Sequence, residues 1–174
     1  MGRLRIAIRQ ARADEAGIVA DILAEAAAWL ETRGVPMWKL DELSPDQVAV
    51  DVASGLVFIA WCGRDPAGTI KFQLEDALFW PDVQVGQAAY VHRVAVRRRY
   101  AGGMVSNAML QWAVQRAREL GRPYLRLDCE AARLQLRAVY ERFGFRFHSE
   151  RQVGPYHVAR YEYPVGAATE RHRK

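Results

Sequence analysis

Leu4, Ile6 and Ile8 alternate with arginines at 3, 5 and 9, a period of two that predicts a strand over residues 3–11. The period then lengthens. Ile18, Ile22, Leu23, Ala26, Trp29 and Leu30 fall on one helical stripe, with Asp14 as the expected N-cap and Gly34 as the C-terminal cap. Val35 to Trp38 reads as a loop. Ser44-Pro45-Asp46-Gln47 is a capping-box pattern with proline at the first helical position, so a short second helix is expected to run to about Ser54, closed by Gly55. Leu56 to Cys62 is an almost unbroken apolar run and predicts a buried strand. A turn over Gly63–Gly68 should lead into its hairpin partner, Thr69 to Glu75. A loop from Phe79 to Gln87 precedes a strand over Ala89–Val96. Val105, Met109, Trp112, Ala113, Ala117 and Leu120 make a second long stripe, ended by Gly121. Tyr124–Cys129 predicts a strand, Leu134–Arg142 a helix, and Phe145–Val153 with Val158–Tyr163 a closing strand pair. This order is that of a mixed α/β sandwich, with helices packed on a largely antiparallel sheet.

With 174 residues, no internal repeat and no linker, the chain reads as one domain over residues 1–165. Residues 166–174 form a polar tail expected to fray. Positive charge comes almost wholly from arginine, since Lys39, Lys71 and Lys174 are the lysines. A net charge of +5 suits an anionic partner without choosing one. No basic-aromatic stripe supports nucleic-acid binding, and no run approaches membrane-spanning length. Cys62 and Cys129 have neither disulfide nor zinc spacing and read as buried thiols. With no apolar leader, a cytoplasmic location is expected.

The chemistry concentrates where the strand ending at Val96 meets the second long stripe. Arg97, Arg98 and Arg99 precede Gly102 and Gly103, just before a helix. Helix N-termini present unpaired N–H groups and the positive end of the dipole, and glycine admits a ligand close to the backbone. Such a segment suits a diphosphate. Val94-Ala95-Val96, then Ala101-Gly102-Gly103-Met104-Val105-Ser106 and a long helix, resembles the acyl-CoA-binding segment of the GNAT acetyltransferase superfamily. A second signature agrees: the strand over residues 125–129, then a helix ending Tyr140-Glu141-Arg142-Phe143-Gly144-Phe145. The resemblance covers nearly the whole chain. It implies the GNAT fold, a mixed, largely antiparallel sheet of about seven strands flanked by about four helices.

Three departures stand in the motif. Ala101 replaces the family's Arg or Gln, Met104 replaces a glycine, and Ser106 stands for Gly or Ala. Main-chain N–H groups survive any substitution but proline, so cofactor binding is expected to persist, with Arg98 or Arg99 supplying lost charge. Arg133 occupies a position where the family often has asparagine.

The resemblance implies acetyl-CoA as cofactor, lying in a splay between the strands that end near Val96 and Cys129. The backbone of Val94, Ala95 and Val96 would pair with the pantetheine arm and polarise the thioester. An amine of a small molecule or peptide would attack directly, without a covalent enzyme intermediate. Tyr140 is the expected acid for the departing thiolate. His92 is the first candidate base, as it lies two residues before Val94 and so shares its strand face by the period of two. Asp128 is the second and Glu75 a distant third. Trp29, Met37 and Trp38, with Phe79, Trp80, Tyr156 and His157, are the expected acceptor pocket. Family members are often dimers, so a homodimer is an expectation. The alternative function is a degenerate GNAT-fold protein that binds CoA or a partner without catalysis.

Overall fold

The computed structural model describes residues 5–38 and 40–166. Leu4, in the first expected strand, and tail residues 167–174 lie outside them. Seven strands are β1 (Ile6–Gln10), β2 (Val57–Cys62), β3 (Asp65–Gln73), β4 (Ala88–Val96), β5 (Tyr124–Glu130), β6 (Arg146–Val153) and β7 (Tyr156–Pro164). The four α-helices among the described residues are α1 (Ala16–Thr32), α2 (Pro45–Ala53), α3 (Met104–Glu119) and α4 (Leu134–Phe143). The strands form one mixed sheet in the order β1-β2-β3-β4-β5-β7-β6. The β4–β5 pair is parallel; the β1–β2, β2–β3, β5–β7 and β6–β7 pairs are antiparallel.

Local chemistry set most boundaries as the sequence predicts. Gly34, at φ 68°, donates to Glu31 O at 2.9 Å while Val35 N–H reaches Leu30 O at 3.0 Å, a glycine stop for α1. Ser44 Oγ accepts the Gln47 N–H at 3.3 Å and Pro45 opens α2. Asp14 is not the cap expected of it. A 3-10 turn over Ala13–Glu15 precedes α1, and the Glu15 carboxylate accepts the Arg12 N–H at 2.9 Å and two Arg9 donors at 2.6 and 2.8 Å. The hairpin turn is also tighter than expected. Asp65 already pairs with Cys62, so β3 starts before Thr69. Gly63 supplies the positive φ, and Pro66 sits beside a register shift where the ladder bends.

Two compact units make up the chain, residues 1–72 with 92–110, and residues 73–91 with 111–174. In the first, Val19, Ile22 and Leu23 of α1, Val48 and Val52 of α2, and Val57 and Ile59 of β2 are buried in one cluster with Ala95. Gly68 of β3 lets the start of α3 come close. A Cβ there would meet Ala95 O at 2.8 Å, Met109 Cε at 3.0 Å and Val105 Cγ1 at 3.1 Å. In the second unit, Leu125, Leu127, Val158, Ala159 and Tyr161 are buried on β5 and β7. The loop between β3 and β4 is pinned from inside. Arg160, 3% exposed, donates to Phe79 O at 3.1 Å and to both Asp82 oxygens at 2.6 and 3.0 Å.

Candidate functional site

β4 ends at Val96, and Arg97 N–H returns to Ala67 O at 2.8 Å. One 3-10 turn follows over Arg98–Tyr100. Gly102 and Gly103 then take φ of 121° and 93°, and α3 begins at Met104. The glycines are needed for their backbone conformation and not for space, because nothing lies within 4 Å of a Cβ built on either. The expected loop therefore stops at Gly103. Met104, Val105 and Ser106 form the first helical turn, whose N–H groups lack intrahelical acceptors. Met104 is helical and 54% exposed, and it keeps its own N–H in that turn. Val105 is fully buried against the Gly68 backbone, which leaves its N–H as the group it can offer. Ser106 Oγ donates back to Gly103 O at 3.1 Å.

The three arginines ahead of this turn are tethered. Arg97 donates to Pro66 O and to Glu25 Oε2, both at 2.9 Å. Arg98 N–H donates to Glu25 Oε1 at 3.0 Å, and the Arg98 guanidinium lies 3.7 Å from the Trp29 ring centre. Arg99 pairs with Asp65 at 3.0 Å. Burial works to raise the Glu25 pKa, but the Arg98 N–H and the Arg97 guanidinium outweigh it and hold the carboxyl below its ordinary value. Trp29 is thus brought to the loop as a platform for Arg98. Of its expected pocket partners, Met37 is half-buried, and Trp38 is packed against the first unit's core.

Arg93 has φ 50°, so β4 does not alternate evenly through it. The shared face expected for His92 and Val94 assumed an unbroken period of two, and that basis is lost.

In the second unit, β5 and α4 bring Asp128, Cys129 and Tyr140 together electrostatically. Burial pushes the Tyr140 hydroxyl above the ordinary phenol range, with Cys129 and Asp128 adding to the shift. Cys129 is pushed up to about 12, first by burial and then by Asp128, so it stays a thiol. Tyr140 meets Phe145 edge-on at 6.0 Å. Gly144, at φ 122°, ends α4, and a Cβ there would press Tyr163 at 3.0 Å. Arg133, at the N-cap of α4, pairs with Glu130 at 3.2 Å. Tyr156 is half-buried at the start of β7.

Trp80 is not a pocket residue. It is 2% exposed, clustered with Ala88 and Tyr90, with Phe79 packed on the cluster. Arg126 and Arg160 lie 5.0 and 4.7 Å from its ring centre. An aromatic in this loop was expected to line the acceptor pocket, but the loop is folded over its own aromatics. A cavity of about 200 Å³ in this unit, lined by Tyr124, Arg146, Phe147, His148, Glu162 and Pro164, contains none of the candidate residues.

Sequence reasoning missed Glu25, and an ion cluster of Asp51, Lys71 and Arg93. Asp51 had a legible signal, a charge three residues from Val48 and one from Val52 on the buried side of α2. So did Lys71, a lysine between buried Ile70 and Phe72.

Comparison with known proteins places these features. The model of the Acetyltransferase (GNAT) family matches residues 24–145. The Uncharacterized N-acetyltransferase YesJ of Bacillus subtilis (strain 168) is 28% identical over 151 residues, 83% of each chain. Among solved structures, a GNAT-family acetyltransferase from Listeria monocytogenes 4b F2365 is similar at TM-score 0.75, with 22% identity over 90% of this chain and 94% of that one. The putative acetyltransferase yncA from Salmonella typhimurium, solved with acetyl-CoA, is similar at TM-score 0.69, with 13% identity over 94% and 96%. The chain belongs to the GNAT acetyltransferase family and is an acetyl-CoA-dependent N-acetyltransferase.

Proposed function

We propose that the chain acetylates a primary amine of a small molecule or peptide, with the cofactor diphosphate held at the N-terminus of α3. The observation that carries this reading is the pair of positive-φ glycines, Gly102 and Gly103, leading directly into a helix of full length. That turn fits the group. The amides of Met104, Val105 and Ser106 stand at the helix start, and Met104, though it carries a side chain, keeps its N–H. Ala101 adds no charge, and the stacked Arg98 and the Arg99 guanidinium lie just before it. Arg133 is a further candidate contact.

Acetyl-CoA supplies an activated acyl group and a thiol leaving group. The rest falls to the chain. The backbone of Val94, Ala95 and Val96 is the candidate donor set for the acyl carbonyl. This assignment accords with a parallel β4–β5 ladder whose register runs from Ala88–Tyr124 to Tyr90–Arg126, while β4 continues to Val96. Tyr140 holds a proton on its hydroxyl at neutral pH and can release it to a thiolate. His92 or Asp128 accepts the amine's proton. Trp29, Met37, Trp38 and Tyr156 are the remaining acceptor-side candidates.

We also read residues 1–165 as one catalytic domain, supported by the single seven-stranded sheet. Two buried free cysteines support a cytoplasmic setting. No helix among the described residues is long and apolar enough to cross a membrane. A homodimer is the assembly to test by light scattering.

Isothermal titration with acetyl-CoA tests the reading. Saturable binding, weakened about tenfold or more in Gly103→Val and kept in Met104→Gly, is the expected result. Absence of binding, or binding indifferent to residue 103, would remove the α3 assignment. Thiol release across a panel of amines and short peptides then identifies the acceptor.

A further inference from the structure

Among the described residues, Arg93 is the non-glycine residue with positive φ, at 50°. Such a conformation is uncommon for a side chain of its size and persists where surrounding structure imposes it. Its place is telling. It sits in β4 immediately before Val94–Val96, the stretch read above as facing the acyl group.

What surrounds Arg93 is an ion cluster drawn from three elements. Its guanidinium donates to Asp51 Oδ2 of α2 at 2.9 Å, and Lys71 Nζ of β3 donates to Asp51 Oδ1 at 3.0 Å. Asp51 is 6% exposed, and a cavity of about 10 Å³ beside the cluster has room for about one water. Buried ion pairs are a weak source of stability compared with apolar packing of the same volume. Val48 and Val52 already fix α2 to the first unit's core. What apolar packing cannot do is set the rotation of one backbone residue, because it has no direction. A charged hydrogen bond has one.

We propose that Asp51, oriented by Lys71, is a positioning residue: it holds Arg93 in its left-handed conformation and thereby aims the Val94–Val96 backbone at the acyl carbonyl. The proposal rests on the reading of Val94–Val96 given above. Lys71 fixes one carboxylate oxygen so that the other faces Arg93. The bend then brings the strand's next N–H groups into line without any side chain touching the acyl group.

The test is isotope-edited infrared spectroscopy of bound acetyl-CoA labelled at its acyl carbon, with binding measured in parallel. The variants are Asp51→Asn and Arg93→Ala. Arg93→Ala leaves Asp51 paired with Lys71 and removes the guanidinium while keeping a β-carbon that disfavours positive φ, so this variant carries the test if Asp51→Asn fails to fold. Val48→Ala is the control for general loosening of the same unit. The expected result is a carbonyl band displaced to lower wavenumber in the natural protein and in Val48→Ala. It should fall back toward the free value in both cluster variants. Affinity for acetyl-CoA should stay within about threefold, because the helix N-terminus still holds the diphosphate. A displaced band that persists in both cluster variants overturns the latch and leaves the cofactor reading intact. An undisplaced band in natural protein that binds acetyl-CoA also overturns the latch. Failure of the natural protein to bind overturns the underlying reading, and the latch with it.

Discussion

Position 103 shows what a single φ angle can decide. At φ 93° a β-carbon is strained whatever the space around it, and open space is what surrounds Gly103. Gly103→Val should cost about 1–2 kcal/mol in local strain and weaken acetyl-CoA binding by about tenfold or more. Met104→Gly should change affinity little and cost about 1 kcal/mol of helix stability. Calorimetry and urea unfolding on the same samples check both. Tyr140 makes a different kind of statement. Its pKa lies above the ordinary phenol value, so its acid form persists past neutral pH and through the mildly alkaline range. Turnover should therefore show no alkaline loss from this group below about pH 10. Tyr140→Phe should lower turnover by about 10²-fold or more while leaving acetyl-CoA affinity nearly unchanged. Glu15 carries acid sensitivity. Arg9 holds its carboxyl at about 2 against an ordinary 4.5, despite burial, so its contribution is complete above 4.5 and fades as pH falls toward 2. Because Arg9 is 42% exposed, Glu15→Gln should cost only about 1–2 kcal/mol at pH 7. At pH 3 the two proteins should melt closer together.

At the scale of elements, what was readable was what is local. Gly34 and Ser44 announce the ends of α1 and α2 because the groups they satisfy lie within a few residues. Where a distant partner decides, the sequence misleads. Glu15 displaces Asp14 as the residue that organises the start of α1 because Arg9, on the neighbouring strand, draws it inward. The period of two fails at Arg93 because a carboxylate from α2 bends the strand there. Trp80 looked like a pocket aromatic because nothing nearby in sequence reveals that Arg160, on β7, pulls its loop inward. The candidate cofactor loop was legible as a glycine pair before a helix. The tethering of its arginines to Glu25 and Asp65 was not. The β3–β4 loop that carries Trp80 and Asp82 invites its own experiment. Asp82→Ala strands the buried Arg160 and should cost about 2–3 kcal/mol, less than a fully buried pair because Asp82 is 47% exposed. Adding Arg160→Met should recover part of the loss. If the double variant is as unstable as the sum of the singles, the pair is not the loop's anchor.

For the molecule as a whole, a net charge of +5 and an anionic cofactor set a salt dependence. Acetyl-CoA affinity should fall as ionic strength rises through the range in which the Debye length shrinks from about 30 to about 10 Å. Ligand present at about 100 times its dissociation constant should raise stability by about 2.7 kcal/mol, visible as an upward shift in melting temperature. The packing at Gly68 has a consequence for how this chain can vary. Its tightest neighbour, 2.8 Å from any added β-carbon, is the carbonyl oxygen of Ala95, which is main chain and cannot swing aside as a side-chain tip would. Every codon change that alters this amino acid introduces a β-carbon. A mutational library sorted for folded protein should accordingly return glycine alone at position 68, while Gly17, with open space at its own β-position, drifts freely.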